Sequence, residues 1–339
     1  MINDNFEKPI YLAHDHMNRL EDFARDAKGG VSAKILHLTV DGWINAPSKK
    51  EYLKTYYSYE GFYDRYLLAL NQLHKVIANN SDQIKLVTSY RDLQDAGSEK
   101  VLAVILGNEG GKIVGESGEN LNTLFDLGVR HIQLNWSMKN CLSASQSEEN
   151  TRQDTGLSDL GRNMIERMNE LGMIVDVSHS SPETISDVLD VTSKPILNSH
   201  SGSRVIANKQ QNLWDEQIRQ LSENGGILAI HFCSRLVLGV DDRQSTIPDV
   251  ISQIKYVKNK GGIDLIGLGP DWILGDTKRD EKYMHNTEQE TITWTKCLED
   301  SSRIKNLIPQ LQLAGFSEHE IDRILYLNQQ RFFKAVLPS

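Results

Sequence analysis

Pro9-Ile10-Tyr11-Leu12-Ala13-His14-Asp15-His16 is an apolar run that closes on two imidazoles. Residues two apart on a β-strand face the same way, so His14 and His16 can aim at one point, and two converging imidazoles can hold a transition metal. A lone H-x-H fits a polar turn after a strand equally well. Repetition decides between the two. Seven later apolar runs have the same form, at 31–40, 101–109, 129–136, 173–179, 194–200, 226–232 and 265–271. They are continuous rather than alternating, the pattern of a parallel sheet covered on both faces. Amphipathic segments lie between them at 17–27, 50–77, 121–127, 158–171, 181–188, 212–224 and 248–259. Glycines such as Gly172 and Gly226 stand where those helices should stop. Eight strand–helix repeats predict an α/β fold, a (β/α)8 TIM barrel, read as one domain over residues 1–339. A doubly wound open sheet is the alternative.

The strand ends carry the chemistry. After the first run come Glu109-Gly110-Gly111, Asn135-Trp136, Asp176-Val177-Ser178-His179, Ser199-His200-Ser201, His231-Phe232-Cys233 and Asp271-Trp272. In a (β/α)8 barrel these ends form one ring around the catalytic face. Imidazoles and carboxylates at the close of apolar strands are costly to bury without partners, and a metal would be such a partner. Singly, His179 or His200 reads as a core histidine, Glu109 as a helix cap and Asp271 as a turn residue. Their joint placement on one face argues for a site. His37, His74, His285 and His319 fall outside this constellation, and His131, early in its strand, reads as structural. Cys233 near His231 suggests a thiol nucleophile, but is read as pointing to the opposite face. Three segments exceed a minimal barrel: 50–97, mostly helical with an extra strand at 84–88, and the polar stretches 137–157 and 275–303, which should rise over the catalytic face.

Composition narrows the function classes. A net charge of −9 over 339 residues, with 39% apolar and 24% charged residues, describes a soluble globular protein and disfavours nucleic acid as partner. No apolar run reaches membrane-spanning length. The polar start MINDNFEKPI lacks the apolar core of a signal peptide, so a cytoplasmic location is expected, with an exported, processed form as the alternative. Cys141, Cys233 and Cys297 are too scattered for a disulfide framework and read as buried free thiols.

The stretches AHDHM, LGNEGG, LGVRHIQLNW, GMIVDVSHSSPETI, PILNSHSGSR, NLWDEQI, LIGLGPDW and GFSEHEIDRILYLNQQRFFKAV together resemble the membrane dipeptidase (renal dipeptidase) family of zinc metallopeptidases, within the amidohydrolase superfamily. They span nearly the whole chain in the family's order. The resemblance implies a metal-dependent hydrolase barrel with two zinc ions, other divalent transition metals being alternatives. His14 matches the His of the family's H-x-D motif, and His16 stands at the Asp position, a departure. Glu109 matches the bridging Glu, His179 and His200 the second metal's histidines, and Asp271 the proton-handling Asp. Among the substrate-reading positions, the carboxylate-gripping Arg falls at Gln211, with Arg204 the nearest substitute. Trp136 stands at the position of a carbonyl-polarising His, His231 where an Asn is usual, and Lys112 where a His is frequent.

The implied activity is hydrolysis of a dipeptide's amide bond by a metal-activated hydroxide. Asp271 would act as base and then acid, with His14, His16, Glu109, His179 and His200 holding the metals and Trp136, Arg204, Gln211 and His231 facing the substrate. The partner expected is a small peptide or amide, and a homodimer is allowed. Loss of the gripping Arg leaves open a related hydrolase of another small amide, lactam or N-acyl amino acid. A decayed metal-binding scaffold is the third reading, against which the retained Asp271 argues.

Overall fold

The computed structural model describes residues 8–41, 50, 58–240, 242–273 and 292–339. Most of the 50–57 start of the long helical segment, most of the 275–303 stretch and His285 lie outside the described residues. Among the described residues there are nine strands: β1 Ile10–Asp15, β2 Val31–Val40, β3 Ile84–Leu86, β4 Leu102–Glu109, β5 His131–Gln133, β6 Ile174–Asp176, β7 Leu197–Ser201, β8 Ile227–Ile230 and β9 Ile266–Leu268. All their pairings are parallel, in two arcs ordered β1-β2-β4-β3 and β5-β6-β7-β8-β9. Leu106 bridges Val129 at one seam. At the other, Asp271 N–H donates to the His14 carbonyl at 3.3 Å and His16 N–H to the Trp272 carbonyl at 3.1 Å. Eight strands therefore run round a TIM barrel, and β3 lies beside the first half of β4, Ile84 opposite Leu102.

Five of the strands, β5 to β9, are shorter than their apolar runs suggest. The run 173–179 pairs only through Asp176, and the run 265–271 only through Leu268. The residues beyond leave the ladder because they turn inward. His179 and Asp271 have φ of 61° and 55°, in the left-handed region that side chains with a Cβ rarely adopt. Ser137, after β5, has φ of 50°. Such backbone costs roughly 1–3 kcal/mol per residue and persists where the surroundings enforce it. Three such residues at strand ends on one face mark that face as functional.

The helices follow from local signals. Asp159–Leu171 starts where the Ser158 side chain accepts a bond from Gly161 N–H, buries Met164, Ile165 and Met168, and stops at Gly172 with φ of 74°. Pro182–Val191 starts on a Ser181 cap with Pro in its first turn. The last helix, Asn328–Val336, sends Phe332 and Phe333 in beside Tyr11, Ile174, Leu197 and Ile227. These are early strand residues, so the helix plugs the barrel mouth opposite the ligating ends. Among the described residues no helix is long and apolar enough to cross a membrane.

Lys34 points from β2 into the seam beside β1, fully buried, with its Nζ 2.7 Å from Asp15 Oδ2, 2.7 Å from Asp26 Oδ2 and 2.6 Å from the Met17 carbonyl. Asp15 sits between His14 and His16, so this ion cluster fixes the end of β1. Burial alone would lower the Lys34 pKa, but the two carboxylates outweigh it and leave it raised.

Candidate metal centre

Six of the predicted side chains converge at the C-terminal mouth. Glu109, at the end of β4, lies between two pairs of imidazoles. Its Oε1 is 3.1 Å from His179 Nε2 and 3.3 Å from His200 Nε2, and its Oε2 is 3.2 Å from His16 Nε2 and 4.0 Å from His14 Nε2. The nitrogens within each pair are 3.1 Å apart for His14 and His16 and 3.0 Å for His179 and His200. Asp271 Oδ1 closes the first set, 3.3 Å from His14 Nε2 and 3.5 Å from His16 Nε2. Donors about 2.1 Å from a tetrahedral zinc stand about 3.4 Å from one another, so both sets have the spacing of a metal's ligand shell. Asp271 was expected only as a proton carrier; its position also suits a ligand.

The proton bookkeeping tests whether a cation fits. His16 Nδ1 lies 3.1 Å from the His37 carbonyl, which can only accept, so Nδ1 carries the proton and the neutral ring's Nε2 is bare. That bare nitrogen faces Glu109 Oε2, an acceptor facing an acceptor. A metal ion or a proton must lie between them, and the donor set of imidazoles and carboxylates suits zinc. His14 Nδ1 and His200 Nδ1 share Ser199 Oγ, at 3.0 and 2.9 Å. Its two lone pairs can take both N–H protons while its own proton turns to Ser178 Oγ, 3.2 Å away. Both Nε2 lone pairs are then directed into the centre.

Burial opposes charge on His16 and His200, but Glu109 and Asp271 outweigh it and raise both rings, so where no cation lies between these groups a proton takes its place. Burial pushes the Glu109 carboxyl pKa up, but the imidazoles of His16, His179 and His200 that face it outweigh burial, and the group stays ionised well below the usual range. Asp271 is likewise held well below it against burial, by His14 and His231. Burial, reinforced by the neighbouring His200, lowers His14 to about 3, so its ring stays neutral and able to ligate.

A supporting layer lies beneath. Asp176 accepts from Ser178 N–H at 2.9 Å, Ser199 N–H at 3.2 Å and His131 Nε2 at 2.9 Å, binding β5, β6 and β7 together under the ligands. His131 is thus structural, as read. His37 was set aside as ordinary, but its buried ring stacks on His14 at 3.7 Å and its carbonyl orients His16. No periodicity announces that role; it follows from the stagger between β1 and β2.

The substrate-facing residues behave differently. Trp136, Gln211 and His231 line one open cleft with Glu109, His179 and Asp271. His231 Nδ1 accepts from Cys233 N–H at 2.7 Å, so its proton is on Nε2 and is donated to Asp271 Oδ2 at 3.1 Å. Burial lowers it to about 4 despite Asp271. Gln211 turns its Nε2 to the His200 carbonyl at 3.0 Å. Arg204, expected to replace the gripping Arg, does not line the cleft. Its Nη1 is 2.7 Å from both oxygens of the buried Glu149, in the 137–157 loop, and its guanidinium lies over Trp214. Cys233 does line the cleft, two residues after His231 rather than on the opposite face. Burial, which raises its thiol to about 11, disqualifies it as a nucleophile. Cys297 is exposed, not buried as expected. Lys112 is buried away from the ligands, its N–H on Asp41 and its Nζ 5.0 Å from the Phe62 ring centre.

A parallel barrel thus gathers carboxylates and imidazoles at its C-terminal mouth. The chain belongs to the membrane dipeptidase family, peptidase family M19, whose model it matches over residues 16–337. It is 28% identical over 267 residues to dipeptidase tcpJ of Claviceps purpurea, covering 79% of this chain and 59% of that protein, so it spans less than two thirds of that relative's length. An amidohydrolase from Pseudomonas aeruginosa shares the fold at a TM-score of 0.84, with 22% identity and 98% of each chain covered. A metallo peptidase from Rhodobacter sphaeroides, solved with a phosphinate mimic of the dipeptide L-Ala-D-Ala, does so at 0.81, with 16% identity over 97% of this chain and 99% of that one.

Proposed function

We propose that this chain is a metal-dependent dipeptidase working with two zinc ions, one held by His14, His16, Glu109 and Asp271 and the other by Glu109, His179 and His200. The carrying observation is Glu109, one carboxylate spanning two imidazole pairs that face it with ligand spacing. Family membership and the dipeptidase relatives support the substrate class. When bound, the zinc ions would supply Lewis-acid polarisation of the scissile carbonyl and make water acidic enough to attack near neutral pH.

The chain's own residues do the rest. His37, Ser199 and Asp176 keep the ligating nitrogens aimed. His231 holds Asp271 through Oδ2, leaving Oδ1 toward the reacting region. Ionised Asp271 takes the proton of the attacking water and returns it to the leaving amine, as base and then acid. Trp136, Trp294 and Ile292 give the cleft an apolar wall that thins solvent around the amide.

The test is elemental analysis of the purified protein together with hydrolysis of L-L and L-D dipeptides, with and without chelator. Two equivalents of zinc and chelator-sensitive cleavage are expected. Glu109→Ala should lower turnover by more than about 1000-fold while circular dichroism stays unchanged. Wild-type-like turnover in that variant would sink the assignment. A second reading, hydrolysis of an amide lacking a free carboxylate, draws on the neutral Gln211 and the locked Arg204; metal-loaded protein that cleaves no dipeptide would favour it.

A further inference from the structure

The turn that follows Glu109 is held from the end of another strand. Val40 opposite Glu109 is the last pair between β2 and β4, so beyond it no ladder fixes the backbone that carries the Glu109 side chain. Gly110 there has φ of 104°, left-handed backbone that a glycine adopts without strain. Asp41, the residue after β2, is fully buried and grips both ends of the turn. Its N–H donates to the Glu109 carbonyl at 2.8 Å, and its Oδ2 and Oδ1 accept the Lys112 N–H at 2.9 and 3.1 Å. The fit between is close: a Cβ on Gly110 would stand 2.2 Å from Asp41 Cγ. Gly111 is packed as tightly, since a Cβ there would meet Leu142 Cδ1 at 2.6 Å and the Leu134 carbonyl oxygen at 2.9 Å. Asn108 Nδ2, donating to the Gly110 carbonyl at 2.7 Å, completes the restraint.

We propose that Asp41 is a positioning residue: its carboxylate clamps the turn from Glu109 to Lys112 and so holds Glu109 where both imidazole pairs face it. This rests on the reading of Glu109 as the ligand shared by two metal ions. A ligating group must stay within about 0.5 Å and about 10–20° of its working geometry, and a shared carboxylate must meet that limit at both oxygens at once. Several rotatable bonds separate the Glu109 carboxylate from its backbone. The backbone end has to be fixed before burial and the imidazoles can select one conformation. The same Asp41 carboxylate also sits at the start of the short 3-10 helix Lys112–Val114. A cap and nothing more would stabilise the fold without any effect on the aim of Glu109, and this difference is what the test reads.

The experiment compares full-length wild type, Asp41→Ala and Asp41→Asn, first metal-free and then titrated with cobalt(II). Asp41→Ala keeps the backbone bond to Glu109 and loses the clamp, whereas Asp41→Asn keeps a side-chain oxygen for the Lys112 N–H. Crystal structures of the metal-free proteins should show the Glu109 carboxylate displaced by more than about 1 Å in Asp41→Ala, outside the tolerance of a ligand site, and restored in Asp41→Asn. The titration follows d–d absorption and the magnetic coupling of two cobalt ions through one carboxylate. The second ion should bind about tenfold more weakly to Asp41→Ala, with Asp41→Asn close to wild type. Loss of a helix cap alone would lower unfolding stability and move neither readout. An unmoved Glu109 in Asp41→Ala would overturn the proposal, as would wild-type affinity for both ions or an Asp41→Asn variant no better than Asp41→Ala. Should Asp41→Ala not fold, Asp41→Ser, whose hydroxyl is a bond shorter than the carboxylate, carries the same comparison. Wild type that takes up no cobalt would remove the two-metal reading, and the metal-free structures would still decide whether Asp41 holds Glu109.

Discussion

The two sides of the cleft are built under different rules. On the ligand side each imidazole that faces Glu109 has its other nitrogen near a partner: His14 and His200 on Ser199, His16 on the His37 carbonyl, His179 3.4 Å from Ser137 Oγ. On the substrate side the side chains come from loops and short helices, and their hydrogen bonds often lead away from the cleft, as Gln211's does. A metal demands several atoms placed within a fraction of an ångström, which takes a scaffold of strands and a buried supporting layer. Substrate recognition needs one charge and a wall, which a loop can supply from more than one position. The ligand side should therefore break sharply when its supports are removed, and the substrate side should yield gradually.

The sharpest break is expected at Lys34. Replacing it with Met leaves Asp15 and Asp26 buried without their cation, beside His14 and His16. Breaking a buried ion pair from one side costs roughly 3–5 kcal/mol, so denaturant unfolding of Lys34→Met should show a loss of that size. A loss below about 1 kcal/mol would mean the end of β1 is held by something else.

Asp176 offers a pH handle on the same support. Burial would raise its carboxyl, but the hydrogen bond and charge of His131 outweigh it and bring the group from 3.8 to about 2. A carboxyl depressed in the fold stabilises it above the unfolded value and loses that contribution as pH falls through the folded one. Chelator-treated wild type should thus lose roughly 2 kcal/mol between about pH 4 and pH 2, and Asp176→Asn should lack that share of the acid limb. Parallel acid limbs in thermal melts would remove Asp176 as the link between β5, β6 and β7.

Ser199 tests aim rather than stability. In Ser199→Ala, His14 and His200 both lose the oxygen that orients their Nδ1 protons, and zinc affinity should fall about tenfold, the lower end of what outer-shell changes cost. Competition with a chromogenic chelator measures it. Unchanged affinity would show that the strand backbone alone aims the rings.

How much of this was legible in the sequence follows the same division. The barrel and six converging residues were readable because apolar runs and their polar closures are local patterns. The supports were not. Lys34 sits in an apolar run and looks like a blemish until Asp15 and Asp26 are seen around it, and His37 gains its role only from the stagger of two strands. Strand lengths were overread because His179 and Asp271 leave the ladder through left-handed backbone that no periodicity records. Arg204 was misread because its partner Glu149 lies 55 positions away.

The gentlest prediction probes the side that should yield gradually. Gln211 occupies the position from which a gripping Arg was expected, yet its amide nitrogen is spent on the His200 carbonyl, a neutral bond to a strand end already fixed by Ser178 and Asp176. Gln211→Ala removes one such bond, worth about 1 kcal/mol. Gln211 itself lines the open cleft, so water can enter the space its side chain leaves and replace the lost donor. Turnover should fall no more than a few-fold, equally for a substrate with a free carboxylate and for its amide. A selective loss for the carboxylate substrate, read as kcat/KM for the matched pair, would place recognition at Gln211 after all and break the distinction between a side that holds and a side that reads.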